Sequence, residues 1–407
     1  MGKDIRRVTT GHYLRCRFRT FMAVSHLAHA HELTHRFILI DGHIDFPWQL
    51  SLNNDTTSGK HLAIAVRGAK GDFDYERARA GGLSAAFMAV YIPASFQGDF
   101  TAGKQEAFSL IALIEEIISY HPDKFAPGHS PALIEANFKN GLVSLPIGLE
   151  NGAPVEHLDD IEAFFQRGVR YITLTHSKDN HICDSSYDVL RTWKGLSPFG
   201  RKVIAGMNAA GMMIDVSHIS DAAFYQVMDL SATPVIASHS SCRHFTPGWE
   251  RNMSDDMIRL LAEKGGVIQI NFGSDFIHAD VARTRKEHKH LLHEFLGRHD
   301  LSEDDPSALP YIEEFRRKHP ASFADVRDVA DHIDHVRNLA GIDCIGLGSD
   351  FDGVGDSLPT GLKDVSMYPN LIAELLSRNY SDDDIRKICH ANVWRVWNAV
   401  LQYAGKS

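Results

Sequence analysis

The chain has 407 residues, 44% hydrophobic and 23% charged, and 52 acidic against 42 basic side chains leave a formal net charge of −10. Without a Lys/Arg-rich run it lacks the positive surface that grips phosphate backbones or anionic lipid, so neither nucleic acid nor a membrane is an expected partner. No apolar stretch reaches the roughly 18 residues that a bilayer-spanning helix needs.

Residues 1–36 read as an N-terminal extension with no sustained period. Its basic residues (Lys3, Arg6, Arg7, Arg15, Arg17, Arg19) are followed by a segment, residues 21–30, that Ser25, His26 and His29 interrupt, so no apolar region of a secretory signal is expected. The five cysteines, Cys16, Cys183, Cys242, Cys344 and Cys389, are scattered and form no CxxC pair, the pattern of reduced thiols in a cytoplasmic protein.

Eight short apolar runs follow, predicted as strands over residues 37–40, 83–92, 142–149, 169–174, 212–216, 234–237, 266–272 and 342–347. Their hydrophobicity is nearly continuous, as parallel strands covered on both faces require. Helical segments lie between most of them, at 109–120, 158–166, 198–210 and 325–339; Ser197-Pro198 opens the third and Gly211 closes it. Strand and helix thus alternate, which predicts an α/β fold of the (β/α)8 TIM-barrel type, a doubly wound open sheet being the architectural rival. Residues 37–407 then form one barrel domain, with a charged helical insertion at about 274–323. Trp394 and Trp397 near the C-terminus read as packing residues, a homodimer contact being their alternative use.

Residues that bind metals or move protons stand at the ends of several predicted strands: His43 and Asp45, Glu150, His176, His218, His239 and Asp350. A barrel brings the carboxyl ends of its strands together, so residues remote in sequence would converge. In His43-Ile44-Asp45 the one-residue spacing projects both side chains to one side of an extended backbone, within reach of one ion. Glu150 could bridge two cations through its two oxygens, and His218 and His239 could supply neutral imidazoles to a second ion. Taken singly, each of these residues also fits a plain structural role. His278, His288, His290, His293 and His299 lie in the charged insertion and read as a solvated face.

The motifs Asp41-Gly42-His43-Ile44-Asp45-Phe46-Pro47-Trp48, Gly168 through His176, Gly195-Leu196-Ser197-Pro198-Phe199-Gly200, Asp215 through Ser220, Ala237 through Ser241 and Gly346 through Gly353 occur in family order. Through them the chain resembles the renal dipeptidase, or membrane dipeptidase, family of zinc metallopeptidases over about residues 37–400. The resemblance implies two zinc ions per chain: His43 and Asp45 on one, His218 and His239 on the other, with Glu150 bridging. It further implies Asp350 as the proton-transfer residue, His176 at the reacting carbonyl oxygen, Arg251 at the carboxylate of a small dipeptide, and Asp352 as structural. Two departures stand out. Asn151 follows Glu150 where many relatives carry glycine, and the seventh strand ends Asn271-Phe272-Gly273 where some place an aromatic residue against substrate.

A second metal motif competes. His31-Glu32-Leu33-Thr34-His35 spells HExxH, the zincin pattern. It abuts the first predicted strand, which leaves little room for a helix to carry it, and no downstream third ligand is evident. The expectation is therefore a zinc-dependent dipeptidase that accepts short dipeptides, those with a C-terminal D-residue included. A metal-dependent barrel amidohydrolase acting on a lactam, cyclic amide or ester is the alternative, and a noncatalytic metal-binding barrel the more distant one.

Overall fold

The structure, a computed structural model, describes residues 25–52, 59–68 and 70–406. Most of the N-terminal extension, including Cys16 and the basic residues weighed against a secretory signal, lies outside the described residues.

Ten short strands form one sheet: β1 (Ile40–Ile44), β2 (Ala85–Tyr91), β3 (Phe125–Pro127), β4 (Val143–Leu145), β5 (Ile147–Glu150), β6 (Val169–Thr173), β7 (Met213–Asp215), β8 (Ile236–Ser240), β9 (Val267–Ile270) and β10 (Ile345–Leu347). All their pairings are parallel, in the order β10-β9-β8-β7-β6-β5-β2, with β1 on the other side of β2. The ring closes where the chain leaves β1 and β10: Ile44 bridges Phe351, the Asp350 amide donates to His43 O at 3.1 Å, and the Asp45 amide donates to Phe351 O at 2.9 Å. Register shifts in the β1/β2, β5/β6 and β8/β9 pairs distort the barrel. Nearly every strand residue is buried, as expected of strands with side chains packed inside the ring and helices outside it.

Eight strands were expected, and the structure both refines and adds to them. The first begins later than predicted and runs through His43, because residues 25–36 form a helix that occupies the approach. The run at 142–149 is divided at Pro146, which cannot donate to a ladder; β4 pairs with β2 at Ala85 and β5 resumes at Met88. The extra strand β3 pairs only with β4, outside the ring, and its three residues were too short to read from periodicity. Residues 342–344 form a 3-10 turn rather than strand. The helices Leu158–Gln166 and Pro198–Ala210 have the predicted bounds; in the second, Ser197 accepts from the Gly200 amide and Gly211 ends the helix at φ 73°. The long helix before β3 starts earlier than expected, spanning Phe100–Tyr120 behind the Asp99 cap.

In the insertion, the helices Ala279–Gly297 and Leu309–Lys318 enclose a small core of Leu292, Leu296, Ala308 and Phe315, separate from the barrel core. Trp394 and Trp397 are buried within the chain itself, Trp394 donating to Glu135 Oε1 at 3.0 Å. Cys183, Cys242, Cys344 and Cys389 are buried free thiols. Among the described residues, no helix is long and apolar enough to cross a membrane.

Candidate active site

The strand ends on one face of the barrel open into a cavity of about 480 Å³ lined by Asp45, Glu150, His176, His218, His239 and Asp350, among others. His43 closes its floor, fully buried. Each predicted ligand arrives on its own element: His43 from β1, Asp45 just beyond it, Glu150 from the last position of β5, His218 from the turn after β7, and His239 from β8.

Glu150 divides the group. Its Oε2 lies 3.5 Å from His43 Nε2, which is also 3.3 Å from Asp45 Oδ2. Its Oε1 lies 3.1 Å from His218 Nε2 and 3.4 Å from His239 Nε2. Two clusters of three ligand atoms therefore meet at one carboxylate: His43, Asp45 and Glu150, and Glu150, His218 and His239.

Three details fit this donor set to metal ions. His43 Nε2 is buried without a hydrogen-bond partner. Tyr171 OH donates to Gly42 O at 3.1 Å, so at 2.8 Å it must accept from His43 Nδ1, which places the ring proton on Nδ1 and leaves the Nε2 lone pair free. The same logic holds at His239: Ser238 Oγ donates to Asp215 Oδ2 at 2.7 Å and accepts from His239 Nδ1, also at 2.7 Å. Borderline divalent ions favour such neutral imidazoles and ionised carboxylates.

Electrostatics point the same way at His239, His218 and Glu150, and the opposite way at His43. Burial, and then the neighbouring His43, push the His239 imidazole down to about 3; burial and Arg251 hold His218 well below its ordinary value. Burial would raise the Glu150 carboxyl, but His43, His176, His218 and His239 together hold it well below the usual carboxylate range. At His43, burial pulls the imidazole down and Tyr171, Glu150 and Asp45 outweigh it, holding it well above its ordinary value. A cation among these groups would relieve the exposure of His43 to unbalanced negative charge.

Asp350 stands over the same group, buried, with its carboxyl raised chiefly by burial. Asn271 Nδ2 donates to Asp350 Oδ2 at 2.7 Å, leaving Oδ1 toward Gly353, where any side chain would collide with both Asp350 and Asp45. Four non-glycine residues around this face, Asn151, His218, Asp350 and Asp352, have φ between 64° and 79° or at 63°, a left-handed conformation costly for a residue with a Cβ. At Asn151 the geometry accounts for the departure from glycine: asparagine tolerates this region, and its side chain donates to Ile92 O and accepts from Asn180 Nδ2.

His176 lines the cavity, its Nε2 3.7 Å from Glu150 Oε1 and its ring 4.2 Å from that of His218. Arg251 is buried, and its terminal nitrogens contact Ser240 Oγ at 2.8 Å, His239 O at 2.7 Å and His218 Nε2 at 3.1 Å; its Nε has no partner. Asp352 lies beside Asp72, whose amide it accepts at 2.7 Å, and burial followed by the Asp72 charge pushes its carboxyl up to about 8.

Sequence reasoning missed Tyr171, Asp215 with Ser238, and Asn271 as supports of the site, together with the aromatic wall of Trp48, Tyr91, Tyr187 and Phe276. Tyr171 and Asp215 sat within the recognised motifs, but only the folded ring shows which ligand each one holds. The HExxH reading changes in one respect: residues 25–36 do form a helix, so the motif has room. Yet His31, Glu32 and His35 are exposed, His35 is held by His31 O and Arg79 O, and Glu32 pairs with Arg36. They form no ligand cluster among the described residues.

Residues 27–407 match the family model described as membrane dipeptidase, peptidase family M19. An uncharacterised dipeptidase of Schizosaccharomyces pombe is 31% identical over 381 residues, 90% of this chain and 82% of that protein. Dipeptidase tcpJ of Claviceps purpurea is 32% identical over 82% of this chain and 70% of its own. Among solved structures, the probable dipeptidase PvdM from Pseudomonas aeruginosa superposes with a TM-score of 0.78 at 26% identity, covering 93% of this chain and 99% of that one. A metallopeptidase from Rhodobacter sphaeroides, liganded with a phosphinate mimic of L-Ala-D-Ala, shares the fold with a TM-score of 0.72 at 22% identity, covering 89% and 99%. With its barrel, its clustered strand-end side chains and these relatives in agreement, the chain belongs to the membrane dipeptidase family, peptidase family M19.

Proposed function

We propose that this protein is a binuclear zinc dipeptidase that hydrolyses the single peptide bond of short zwitterionic dipeptides and tolerates a D-residue at the C-terminal position. The observation that carries the reading is Glu150, whose two oxygens face two separate ligand groups. His43 and Asp45 would hold one zinc, His218 and His239 the other, and Glu150 both. When bound, the pair would lower the pKa of a water at the site and act as a Lewis acid toward the peptide carbonyl.

The chain's own residues supply the remainder. Asp350 takes the proton from the attacking water and returns it to the leaving amine; Asn271 holds Oδ2, so proton exchange falls to Oδ1. The burial-raised carboxyl of Asp350 suits a group that must carry a proton between two steps. His176 stabilises the oxyanion that develops on the carbonyl oxygen. Arg251 receives the terminal carboxylate, and selection for dipeptides follows from that contact. The cavity volume of about 480 Å³ suits a ligand of this size.

The test is a panel of L,L- and L,D-dipeptides with free or amidated C-termini, assayed after zinc reconstitution. Hydrolysis of both stereochemical classes, with strong loss on amidation, is expected. Equal rates on amidated substrates, or preference for a lactam, cyclic amide or ester, would overturn the dipeptidase assignment in favour of a barrel amidohydrolase.

A further inference from the structure

We propose that a third metal ion binds outside the catalytic cavity, on His244, Asp255 and His335, and braces the loop that carries Arg251. One ligand atom from each of these three residues lies within 4.8 Å of the others. They come from separate elements: His244 from the short turn Arg243–Phe245, Asp255 from the first position of the helix Asp255–Glu263, and His335 from the helix Val326–Ala340. Two imidazoles and a carboxylate form a donor set for borderline divalent ions such as zinc or cobalt, with water completing a tetrahedron.

The local geometry favours an ion over a simple surface contact. The rings of His244 and His335 stack with centroids 4.3 Å apart and planes at 23°, so the exposed His244 ring already lies against its half-buried partner. His335 Nε2 lies 2.8 Å from Asp255 Oδ1, a pair in which a metal would replace the shared proton. Among the described residues the His244 ring makes no hydrogen bond or ion pair; its contacts are the rings of Phe245 and His335. His244 is exposed while its two partners are half-buried, so it can swing the short distance that brings ligand atoms to the roughly 3.3 Å spacing of tetrahedral bonds of about 2.0–2.1 Å. Phe245 packs against His335 at 5.6 Å and against His332 at 4.3 Å, giving the site an apolar back wall. His332 itself is not a candidate ligand, since the Cys242 amide donates to its Nδ1 at 3.0 Å and its Nε2 contacts Ile277 O at 2.9 Å.

The consequence follows from chain connectivity. The segment leaving β8 carries His244 first, then Arg251 and Asn252, and ends at Asp255. An ion held by His244, Asp255 and His335 would fasten both ends of this segment to the helix Val326–Ala340. That part of the inference rests on Arg251 as the residue that binds the substrate carboxylate, and it places the effect on substrate affinity rather than turnover.

The test uses full-length protein whose catalytic sites are already saturated with zinc. It is titrated with Co²⁺, with metal content and the visible ligand-field spectrum read after gel filtration. Wild type should bind one further ion, with a tetrahedral cobalt spectrum, and His244→Ala should lose that ion while keeping two zinc ions per chain and an unchanged kcat. Asp255→Asn, which keeps an acceptor for the His335 ring, should also lose the ion while keeping the Tm of the metal-free fold. Equal binding by wild type and His244→Ala, or an adventitious ion removed by gel filtration from both, would overturn the site whatever the substrate proves to be. Loss of the ion should raise KM for dipeptides by about fivefold, the low end of coupling between sites. An unchanged KM in a variant that has lost the ion would overturn the bracing role.

Discussion

In the helix over residues 25–36, His31, Glu32 and His35 stand in solvent, the His35 ring turned to the His31 and Arg79 carbonyls and Glu32 to Arg36. At the strand ends, His43, Glu150 and His239 are almost wholly buried, and Tyr171 and the Ser238–Asp215 pair hold the two imidazoles from behind. The residue types are the same. What separates the regions is that buried polar atoms need partners, and at the strand ends the hydroxyls leave Nε2 of His43 as the atom without one. A metal motif is thus better judged by what fixes its rings than by its spacing.

The sharpest way to break this comparison is to remove a ligand from one region. His218→Ala should abolish measurable dipeptide hydrolysis and reduce bound zinc below two ions per chain, read by elemental analysis beside the assay. Full activity in this variant would move the chemistry away from the strand ends. Asp350→Asn comes next: a fall in kcat of about 10² to 10⁴-fold is expected with zinc content preserved. The matching Asp352→Asn change should cost less turnover, since Asp352 sits with Asp72; equal losses would deny Asp350 its particular role.

Removing a support rather than a ligand gives a smaller effect. Tyr171→Phe deletes the hydroxyl that orients His43 and should weaken zinc binding by about 10- to 100-fold, measured by competition with a chelator. Unaltered affinity would show that the ring needs no such support. Smallest of all, replacing His31 and His35 together with alanine should leave kcat/KM unchanged and stability within about 0.5 kcal/mol, as for other exposed positions. Loss of activity there would reverse the comparison.

Much of this was readable from the chain. The near-continuous apolar runs are what a parallel barrel demands, and polar residues just after such runs marked the face on which the cavity opens, so Glu150, His218, His239 and Asp350 could be placed together before any fold was known. The runs could not show that Pro146 divides a strand or that β3 adds a short outer one, since three residues carry no period. Nor could they show that Asn271 meets Asp350 or that Tyr171 meets His43, because these contacts depend on how neighbouring strands are staggered. Helix formation over residues 25–36 was obscured by its many histidines, which hide the short buried stripe of Ala30, Leu33 and Thr34.

The ring closes at the same place where Asp350 and His43 meet, and Asp41 reinforces that seam by accepting from the Ser349 amide 308 positions away and from the Tyr368 hydroxyl. During synthesis, then, the first ligands leave the ribosome long before the residues that complete their surroundings. At about 5 to 20 residues per second the interval is roughly 15 to 60 s. Throughout it the nascent sheet keeps an open edge beside β1, so on the proposed function hydrolytic competence arrives late, once the chain has passed the final strand and Asp350 has emerged.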